Sequence, residues 1–527
     1  MPINERICRA LSAALRSPCS YLVVAAMLGY GAFATAEYDR LGTQVGAVDL
    51  GIFYQTVQGW AFHGDPYVAI KGFSQLGDHF TPAWILLAPL LWIHNSPYML
   101  VLAQVVLLSL SGVPVYVAVK RMFGTWRSIG VTAAYLASSG LQHAVAFPVH
   151  EVMFATPIIA WALERTLAGR WTHATILMCS LCLVKEDLNL MTVMFAVLAL
   201  LNRKWRHAAF LAIWGVALYL ITVKILIPSF SPQGYTYLSQ YTTTLHATNS
   251  VQLFLSIVEH PRHTLHLLIG NSAKRQLWYL LFAPVACLAL ASPICLLALP
   301  ELLSRLLSSD PSLWSSHYHY DAPLMPIIFI AAVDALPRLC NIVELYADAA
   351  RARETLRWAS AGFVLLTLAM TLHLSKHLPL RTWLRKPTAY EASEAWNANL
   401  RKAIAIVPSG VTVETTNRVA VPLLTRDTVT ITSDRPSGTW AVLDLTALGG
   451  RADSYDPDDP YDPYDPYDVT YIVEMRREGW QLVRQDGSIV VLRYEGGRTE
   501  EAGVRAGAGA GAGSTGHARS ANTQQNP

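Results

Sequence analysis

The sequence predicts a polytopic α-helical membrane protein with a small α/β domain after its last span. Of the 527 residues, 53% are hydrophobic and only 15% are charged, whereas about a quarter of the residues in a soluble protein are charged. Apolar runs that approach the width of a bilayer recur along the first 375 residues. Short alternating segments replace them afterwards, which is typical of strands.

Eleven apolar runs are predicted to cross the membrane. A spanning helix needs about 20 mostly apolar residues, and somewhat fewer can suffice. The runs lie near residues 20–37, 97–119, 128–148, 152–169, 172–185, 187–201, 207–229, 277–291, 293–309, 319–337 and 357–375. Between the eighth and ninth runs, Ser292-Pro293 would form the turn, and a single bent span is the alternative there.

Clusters of Lys and Arg predict the orientation of these spans. They precede the first and last runs and separate the second from the third, the fourth from the fifth and the sixth from the seventh. All of them share one side if the N-terminus is cytoplasmic, as basic loops prefer. Lys274 and Arg275 are the exception, at the end of a long loop where this rule is weaker. The pattern predicts a multi-pass plasma-membrane protein.

The topology divides the chain into a cytoplasmic N-terminus, a membrane domain and an outer region. Ala34-Thr35-Ala36 resembles a signal-cleavage site, but the many later spans favour a retained first helix. Residues 78–95 are placed on the outer surface as an interfacial helix, since a span there would move every later basic cluster outside. The predicted divisions are 1–19 cytoplasmic, 20–375 membrane domain, 38–96 and 230–276 outer loops, and 376–496 an extracytoplasmic α/β domain with a helix near 390–405.

Two segments of the outer region have biased composition. The Tyr/Asp/Pro repeat at 455–468 cannot build a core, which predicts a solvated loop, and its spacing matches no EF-hand. The tail at 497–527 contains AGAGAGAG, which predicts disorder. The seven cysteines indicate no disulfide framework, and Cys179 and Cys182 read as helix residues rather than a metal or redox pair.

Ionisable residues collect where this topology places the outer ends of the spans. Such groups are costly at membrane depth and by default indicate a functional site. Each also has an ordinary explanation, as a helix cap, an interfacial aromatic belt or an i,i+4 pair such as Glu301 with Arg305. Their coincidence on one face favours a site. Five pieces of chain contribute Asp49, Asp78 and His79; His150 and Glu151; Lys185, Glu186 and Asp187; Arg305; and the HYHYD stretch from His317 to Asp321, including Tyr320.

These residue types suit transfer of a group from a lipid phosphate to an acceptor outside. A carboxylate that faces the outer leaflet can act as a general base toward a hydroxyl, and a second carboxylate can orient it or share a divalent metal, although no strong metal motif is present. Lys185 and Arg305 could hold a phosphate. His317 and Tyr320 are further donor-binding candidates. The supporting candidates are Asp78, His79, His150, Glu186 and Asp187.

The motifs resemble those of the integral membrane family called domain of unknown function 2079. The resemblance covers roughly residues 20 to 450. It is carried by DLGIF with Gln55 and Trp60, DHFTPAWILLAPL, SPYMLVLAQVVLLSLSGVPVYVAVKRMFG, FPVHEVMF, LVKEDLNL, ALPELLSRLLS, HYHYDAPLMPIIFIAAVDAL and AIVPSGVTVETTNRVAVPLLTR, in family order.

That family in turn resembles the GT-C superfamily of polyprenyl-phosphate-dependent glycosyltransferases. The resemblance implies that Asp49 matches the first-loop acid of those enzymes, Glu151 their second outer acid, and Lys185 a lysine near the outer end of a span. Residue 50 is Leu, so the commoner acidic pair is absent, and Glu151 follows a His. Both departures bear on metal dependence and on whether transfer occurs.

The resemblance implies an inverting glycosyltransferase that acts in the membrane. Its partners would be membrane lipids, a polyprenyl-phosphate-linked sugar and an extracytoplasmic acceptor, with no nucleic acid. A transporter or flippase of a lipid-linked amphiphile would use the same cations, but it predicts inverted repeats and polar residues at the midplane. A non-catalytic scaffold would need residues 376–500 and not Asp49.

Overall fold

Helices form most of the part of the chain that the structure describes, as the hydrophobic runs predict. In the computed structural model the described residues are 16–40, 47–147, 149–344, 349–375, 378–386, 394–431, 438–445 and 470–496. The Tyr/Asp/Pro repeat at 455–468, the tail at 497–527 and most of the predicted cytoplasmic N-terminus lie outside these residues.

Five helices in the described part of the chain are long and apolar enough to cross a membrane. The five are Pro18–Asp39, Tyr98–Phe123, Trp205–Phe230, His319–Ile342 and Ala350–Leu374. They correspond to the first, second, seventh, tenth and eleventh predicted runs. The other apolar helices are shorter, so the count of eleven spans remains a prediction.

The helices of the membrane part follow one another with short connections, except for the longer ones at 63–87, 231–241, 283–298 and 308–323. Their bounds are α1 (Pro18–Arg40), α2 (Ala47–Phe62), α3 (Ala88–Ile93), α4 (Tyr98–Leu110), α5 (Gly112–Phe123), α6 (Thr125–Leu136), α7 (Ser139–Ala146), α8 (Val152–Leu167), α9 (Trp171–Ser180), α10 (Leu188–Leu201), α11 (Trp205–Ile221), α12 (Ile227–Phe230), α13 (Thr242–Leu245), α14 (Ser250–Glu259), α15 (Pro261–Ile269), α16 (Ser272–Phe282), α17 (Leu299–Leu307), α18 (Leu324–Glu344) and α19 (Ala349–Leu374).

The region from 277 to 309 departs from the two regular spans that the sequence predicts. Helix α16 ends at Phe282, and 3₁₀ turns at Ala283–Val285, Leu288–Ala291 and Pro293–Ala298 precede α17. Prolines remove backbone donors and break the helix, and Pro284 and Pro293 lie in these turns. The hydroxyl of Ser292 donates to Asp334 Oδ2 at 2.6 Å, which fixes the turn against α18.

The segment predicted to lie on the membrane surface forms a short, bent helix. Pro82–Leu87 is 3₁₀ and α3 continues it to Ile93, so it is too short to cross a bilayer. Trp84 is fully buried on one side, while Leu86 and Trp92 are exposed on the other. An apolar exposed side suits a membrane surface, and this position stays a prediction.

A mixed sheet lies in the region after the last span. After the small hairpin of β1 (Tyr67–Val68) and β2 (Phe73–Ser74), the elements are α20 (Pro379–Arg385), α21 (Glu394–Ile406), β3 (Thr412–Thr415), β4 (Thr428–Ile431), β5 (Trp440–Asp444), α22 (Thr470–Arg477), β6 (Trp480–Asp486) and β7 (Ile489–Tyr494). The strand order of the sheet is β4-β3-β5-β7-β6, with β3 parallel to β4 and β5, and β7 antiparallel to β5 and β6. Helix α21 lies where the sequence predicts one.

This sheet packs directly on α2, the helix that carries Asp49. Gln55 joins three pieces of chain: its Nε2 donates to the carbonyl of Val429 at 2.8 Å, and its Oε1 accepts from the amide of Ile70 at 3.2 Å. A Cβ on Gly51 would stand 2.8 Å from Ile70 and 3.5 Å from Leu424, so only glycine fits there without a shift. The C-terminal region thus fixes the position of α2.

We predict that Gln55→Leu destabilises the protein. The change leaves the buried carbonyl of Val429 without its donor, which costs about 1–3 kcal/mol. Melting of the purified protein in detergent measures the loss, and hydrogen exchange of β4 shows where it acts. Gln58→Leu is the matched control, because Gln58 reaches only the Tyr54 hydroxyl at 3.4 Å. Equal melting temperatures for the two variants would contradict the prediction.

Candidate active site

Asp49 lies in the first turn of α2, where the predicted outer loop begins. Burial raises the pKa of its carboxyl group, against the favourable influence of His150 and Lys71, while Glu151 and Asp78 raise it further. These interactions bring Asp49 into the same electrostatic environment as the predicted second acid. A carboxylate with a raised pKa is a stronger proton acceptor than an ordinary aspartate.

Glu151 occupies a different electrostatic setting. Its Oε1 lies 2.9 Å from Lys185 Nζ, and the same ammonium lies 3.9 Å from Asp187 Oδ2. Burial alone would raise the pKa of Glu151, but Lys185, His150 and His79 outweigh it and lower the pKa to about 2. Two neighbouring carboxyl groups with pKa values shifted in opposite directions can take different roles. Asp49 suits the base, and Glu151 suits the permanent anion that holds Lys185.

A second pair ties the first outer loop to the turn at 185–187. His79 Nδ1 lies 2.7 Å from Glu186 Oε1, and the amide of Phe80 donates to Glu186 Oε2 at 3.2 Å. The His79 ring stacks on Tyr237 with 4.4 Å between centroids. His79 and Glu186, two of the predicted supporting residues, therefore join the predicted first outer loop to the turn at 185–187.

Asp78 extends this network to the second outer loop. The Tyr237 hydroxyl donates to Asp78 Oδ1 at 2.6 Å, and Lys71 forms an ion pair with the other carboxylate oxygen. Burial opposes ionisation of Asp78, but Lys71, His79 and Tyr237 together lower its pKa. Lys71 and Tyr237 were not predicted as site residues. The Tyr- and His-rich composition of 230–276 was the signal that could have included Tyr237.

Stacked aromatic rings connect the turn at 150 to the HYHYD stretch. His150 and His319 lie 3.6 Å apart between centroids, with 17° between their planes. Phe53 of α2 meets the His150 ring at 5.0 Å. His317 is exposed and stacks on His143 at 5.6 Å. The predicted HYHYD stretch thus stands beside His150 and α2.

Arg305 is an internal structural cation. It is 2% exposed, and its Nη1 donates to Asp321 Oδ1 at 2.7 Å. Its Nε and Nη2 donate to the carbonyls of Leu313 at 2.8 Å and Ser315 at 3.1 Å. Its partner is therefore Asp321 rather than the helical neighbour Glu301. These three bonds leave two of the five N–H donors of the guanidinium. Tyr320, 5.3 Å from the guanidinium, is half-buried.

Lys274, the exception to the charge rule, is buried in the protein. Its ammonium donates to the carbonyls of Leu267 at 2.9 Å and Leu306 at 2.7 Å and lies 4.0 Å from the centre of the Trp314 ring. Burial lowers the pKa of Lys274 to about 8. The residue satisfies the ends of two helices, so it says little about topology.

Several buried polar atoms around these pairs have no hydrogen-bond partner within the described residues. They include Asp187 Oδ1, Asp321 Oδ2 and His319 Nδ1. Buried polar atoms usually have a hydrogen-bond partner. A polar ligand bound at the site would provide such partners. No group of three potential metal ligands is found among the described residues, and a metal held by Asp49 and Glu151 stays a prediction.

Comparisons with known proteins agree with the sequence motifs. The model of a family described as "Predicted membrane protein (DUF2079)" matches residues 41–440. The chain belongs to this family. No curated protein sequence matches the chain.

Solved structures resemble this family member in fold. The crystal structure of ArnT from Cupriavidus metallidurans bound to undecaprenyl phosphate is 13% identical, with a TM-score of 0.51, and the match covers 90% of this chain and 97% of that one. The apo ArnT structure, also 13% identical, has a TM-score of 0.49 and coverages of 84% and 92%. AglB, an oligosaccharyltransferase from Archaeoglobus fulgidus, has a TM-score of 0.38 at 10% identity and coverages of 80% and 69%. The ArnT likeness shows a similar fold.

The His79–Glu186 contact predicts a pH-dependent stability. Burial would lower the pKa of His79, but the Glu186 carboxylate raises it overall. A raised pKa stabilises the folded state fully below pH 6.5, the ordinary pKa of histidine. This stabilisation is lost as the pH rises through the folded-state pKa.

We therefore expect His79→Asn to lower the melting temperature most near pH 6, with the difference from wild type shrinking toward pH 9. Both values of pH lie above the lowered pKa of Asp78, so that carboxylate does not titrate in this window. His63→Asn, at an exposed position, is the control. A difference that is constant with pH would contradict the assignment.

Proposed function

We propose that this protein transfers a sugar from a polyprenyl-phosphate donor to an extracytoplasmic acceptor. One observation carries the proposal: Asp49, with its raised pKa, shares one electrostatic environment with the Lys185–Glu151 ion pair. A proton acceptor and a cation that can meet a phosphate are the two functions this reaction needs. The likeness to ArnT over most of both chains supports a lipid-phosphate donor, since that structure holds undecaprenyl phosphate.

The proposed reaction is a direct displacement with inversion. The acceptor hydroxyl attacks the anomeric carbon, and its proton passes to the Asp49 carboxylate. The bond from the anomeric carbon to the phosphate oxygen breaks, and its electron pair leaves with the polyprenyl phosphate. Lys185 stabilises the negative charge that develops on this phosphate, and Glu151 keeps Lys185 in place.

The supporting residues position these groups. His79 and Glu186 connect the first outer loop to the turn that carries Lys185. The stacked rings of His150 and His319 join the turn at 150 to the HYHYD stretch. In this proposal Arg305 acts through Asp321 by holding that stretch, so it is a positioning residue. Tyr320 and His317 remain the candidates for contact with the donor.

We predict that Asp49→Asn lowers transfer at least a hundredfold, because a positioned general base contributes about 10²–10⁴ to the rate. The full chain in lipid nanodiscs is incubated with a panel of polyprenyl-phosphate sugars, and release of polyprenyl phosphate is measured. Asp65→Asn, at an exposed position in the same outer loop, is the control. Full activity of Asp49→Asn would refute the assigned role.

This assay also separates the two other functions considered. A transporter would move the lipid-linked sugar between leaflets of a vesicle without releasing polyprenyl phosphate, in wild type and Asp49→Asn alike. A scaffold would do neither. No release by the wild-type protein with any member of the panel would count against the transferase.

We further predict that Lys185→Gln weakens binding of undecaprenyl phosphate by about tenfold or more, since a charge-assisted hydrogen bond to phosphate is lost. Native mass spectrometry measures the bound fraction. The double variant Lys185→Gln with Glu151→Gln removes the unpaired carboxylate that the single change leaves, and it should bind as weakly. Lys204→Gln, at an exposed position, is the control. Restored binding in the double variant would show that Lys185 serves only to neutralise Glu151.

A further inference from the structure

A groove lies between α8 and α9, at the far end of α8 from Glu151. Its volume is about 330 Å³, and it is lined by Trp161, Arg165, His173, Ile176 and Leu177. Glu151 immediately precedes α8 and Arg165 lies in its last turn. These fourteen residues correspond to about 20 Å along the helix axis, so the groove is distinct from the candidate active site.

The groove is polar at one end and apolar at the other. Arg165 and His173 lie near the turn that joins the two helices. Trp161 on α8 and Leu177 on α9 lie about one helical turn further from it. Ile176 is 62% exposed and belongs to the apolar end. This gradient matches a lipid, with its headgroup at the turn and one acyl chain along the apolar part.

The charge at the polar end is positive. Arg121 and Arg165 share one carboxylate, that of Glu164, which is fully buried. Two guanidinium groups on one anion leave one positive charge in excess. The Arg165 guanidinium also lies 5.5 Å from the centre of the Trp161 ring, which holds it along the wall of the groove. Exposed Arg170 adds a further cation at the turn.

We propose that this groove, lined by Trp161, Arg165, His173, Ile176 and Leu177, binds an anionic phospholipid. Basic pockets between membrane helices on the cytoplasmic side suit such headgroups, and the distribution of Lys and Arg predicts that the α8–α9 turn faces the cytoplasm. Arg165 donates to the phosphate, His173 borders the headgroup, and Trp161, Ile176 and Leu177 contact the acyl chain. The site is independent of the proposed transfer reaction.

Native mass spectrometry of the full chain in detergent tests the proposal, with dioleoyl phosphatidylglycerol and dioleoyl phosphatidylcholine as the probes. We expect wild type to prefer phosphatidylglycerol. Arg165→Gln should weaken binding of phosphatidylglycerol about fivefold, the effect of one basic residue near a membrane surface. Its binding of phosphatidylcholine should fall less, because that headgroup carries the same phosphate but no net charge. Ile176→Trp should block the apolar end and weaken binding of both lipids.

Two control variants separate the groove from general surface effects. Arg206→Gln removes an exposed cation on the same predicted side, and Ile213→Trp enlarges a 71% exposed apolar residue of α11. Both should bind as wild type does. Because Ile176 faces outward, its replacement tests the site even if Arg165→Gln fails to fold. Equal binding of the two lipids by wild type, unchanged binding in Ile176→Trp, or equal losses in Arg206→Gln and Arg165→Gln would overturn the proposal.

Discussion

The ion pair between Lys185 and Glu151 sets the arrangement of the candidate site. Both groups are largely buried, and a buried charge is tolerated only when it is paired and hydrogen-bonded. With 2.9 Å between their charged atoms, the turn after α9 must meet the start of α8. The same requirement applies to two neighbouring pairs, His79 with Glu186 and Arg305 with Asp321. Each pair joins two different segments, so the electrostatic requirement shapes this end of the helical bundle.

The same requirement divides the charged residues into two groups. Arg305 and Lys274 donate hydrogen bonds to carbonyl and carboxylate oxygens of the protein, so they hold neighbouring segments together. Asp49 differs because burial outweighs the influence of His150 and Lys71 and raises the pKa of its carboxyl group. Such a carboxylate is a stronger proton acceptor than an ordinary aspartate.

The sequence predicted the class of fold, while the roles of the residues around the candidate site stay a prediction. Hydrophobic length and basic loops are local signals, and they suffice for a helical membrane domain followed by a region with strands. Local signals could not predict that prolines divide 277–309 into short 3₁₀ turns, because apolar composition alone does not distinguish a straight helix from a broken one. Local signals also could not predict which charged residues form ion pairs with each other. Arg305 has Glu301 four residues away, yet it pairs with Asp321, and only the packing of α17 on the HYHYD stretch decides between them.

The bond from Gln55 to Val429 has a consequence for how the protein is made. Its two residues are 374 positions apart in the chain, so the ribosome must synthesise nearly all of the protein before the bond can form. By then the early helices have already entered the membrane. The helix that carries Asp49 is held in place only once the sheet has folded, which makes assembly of the candidate site a late step in biogenesis. A chain that stops short of the sheet would be inserted without completing this site.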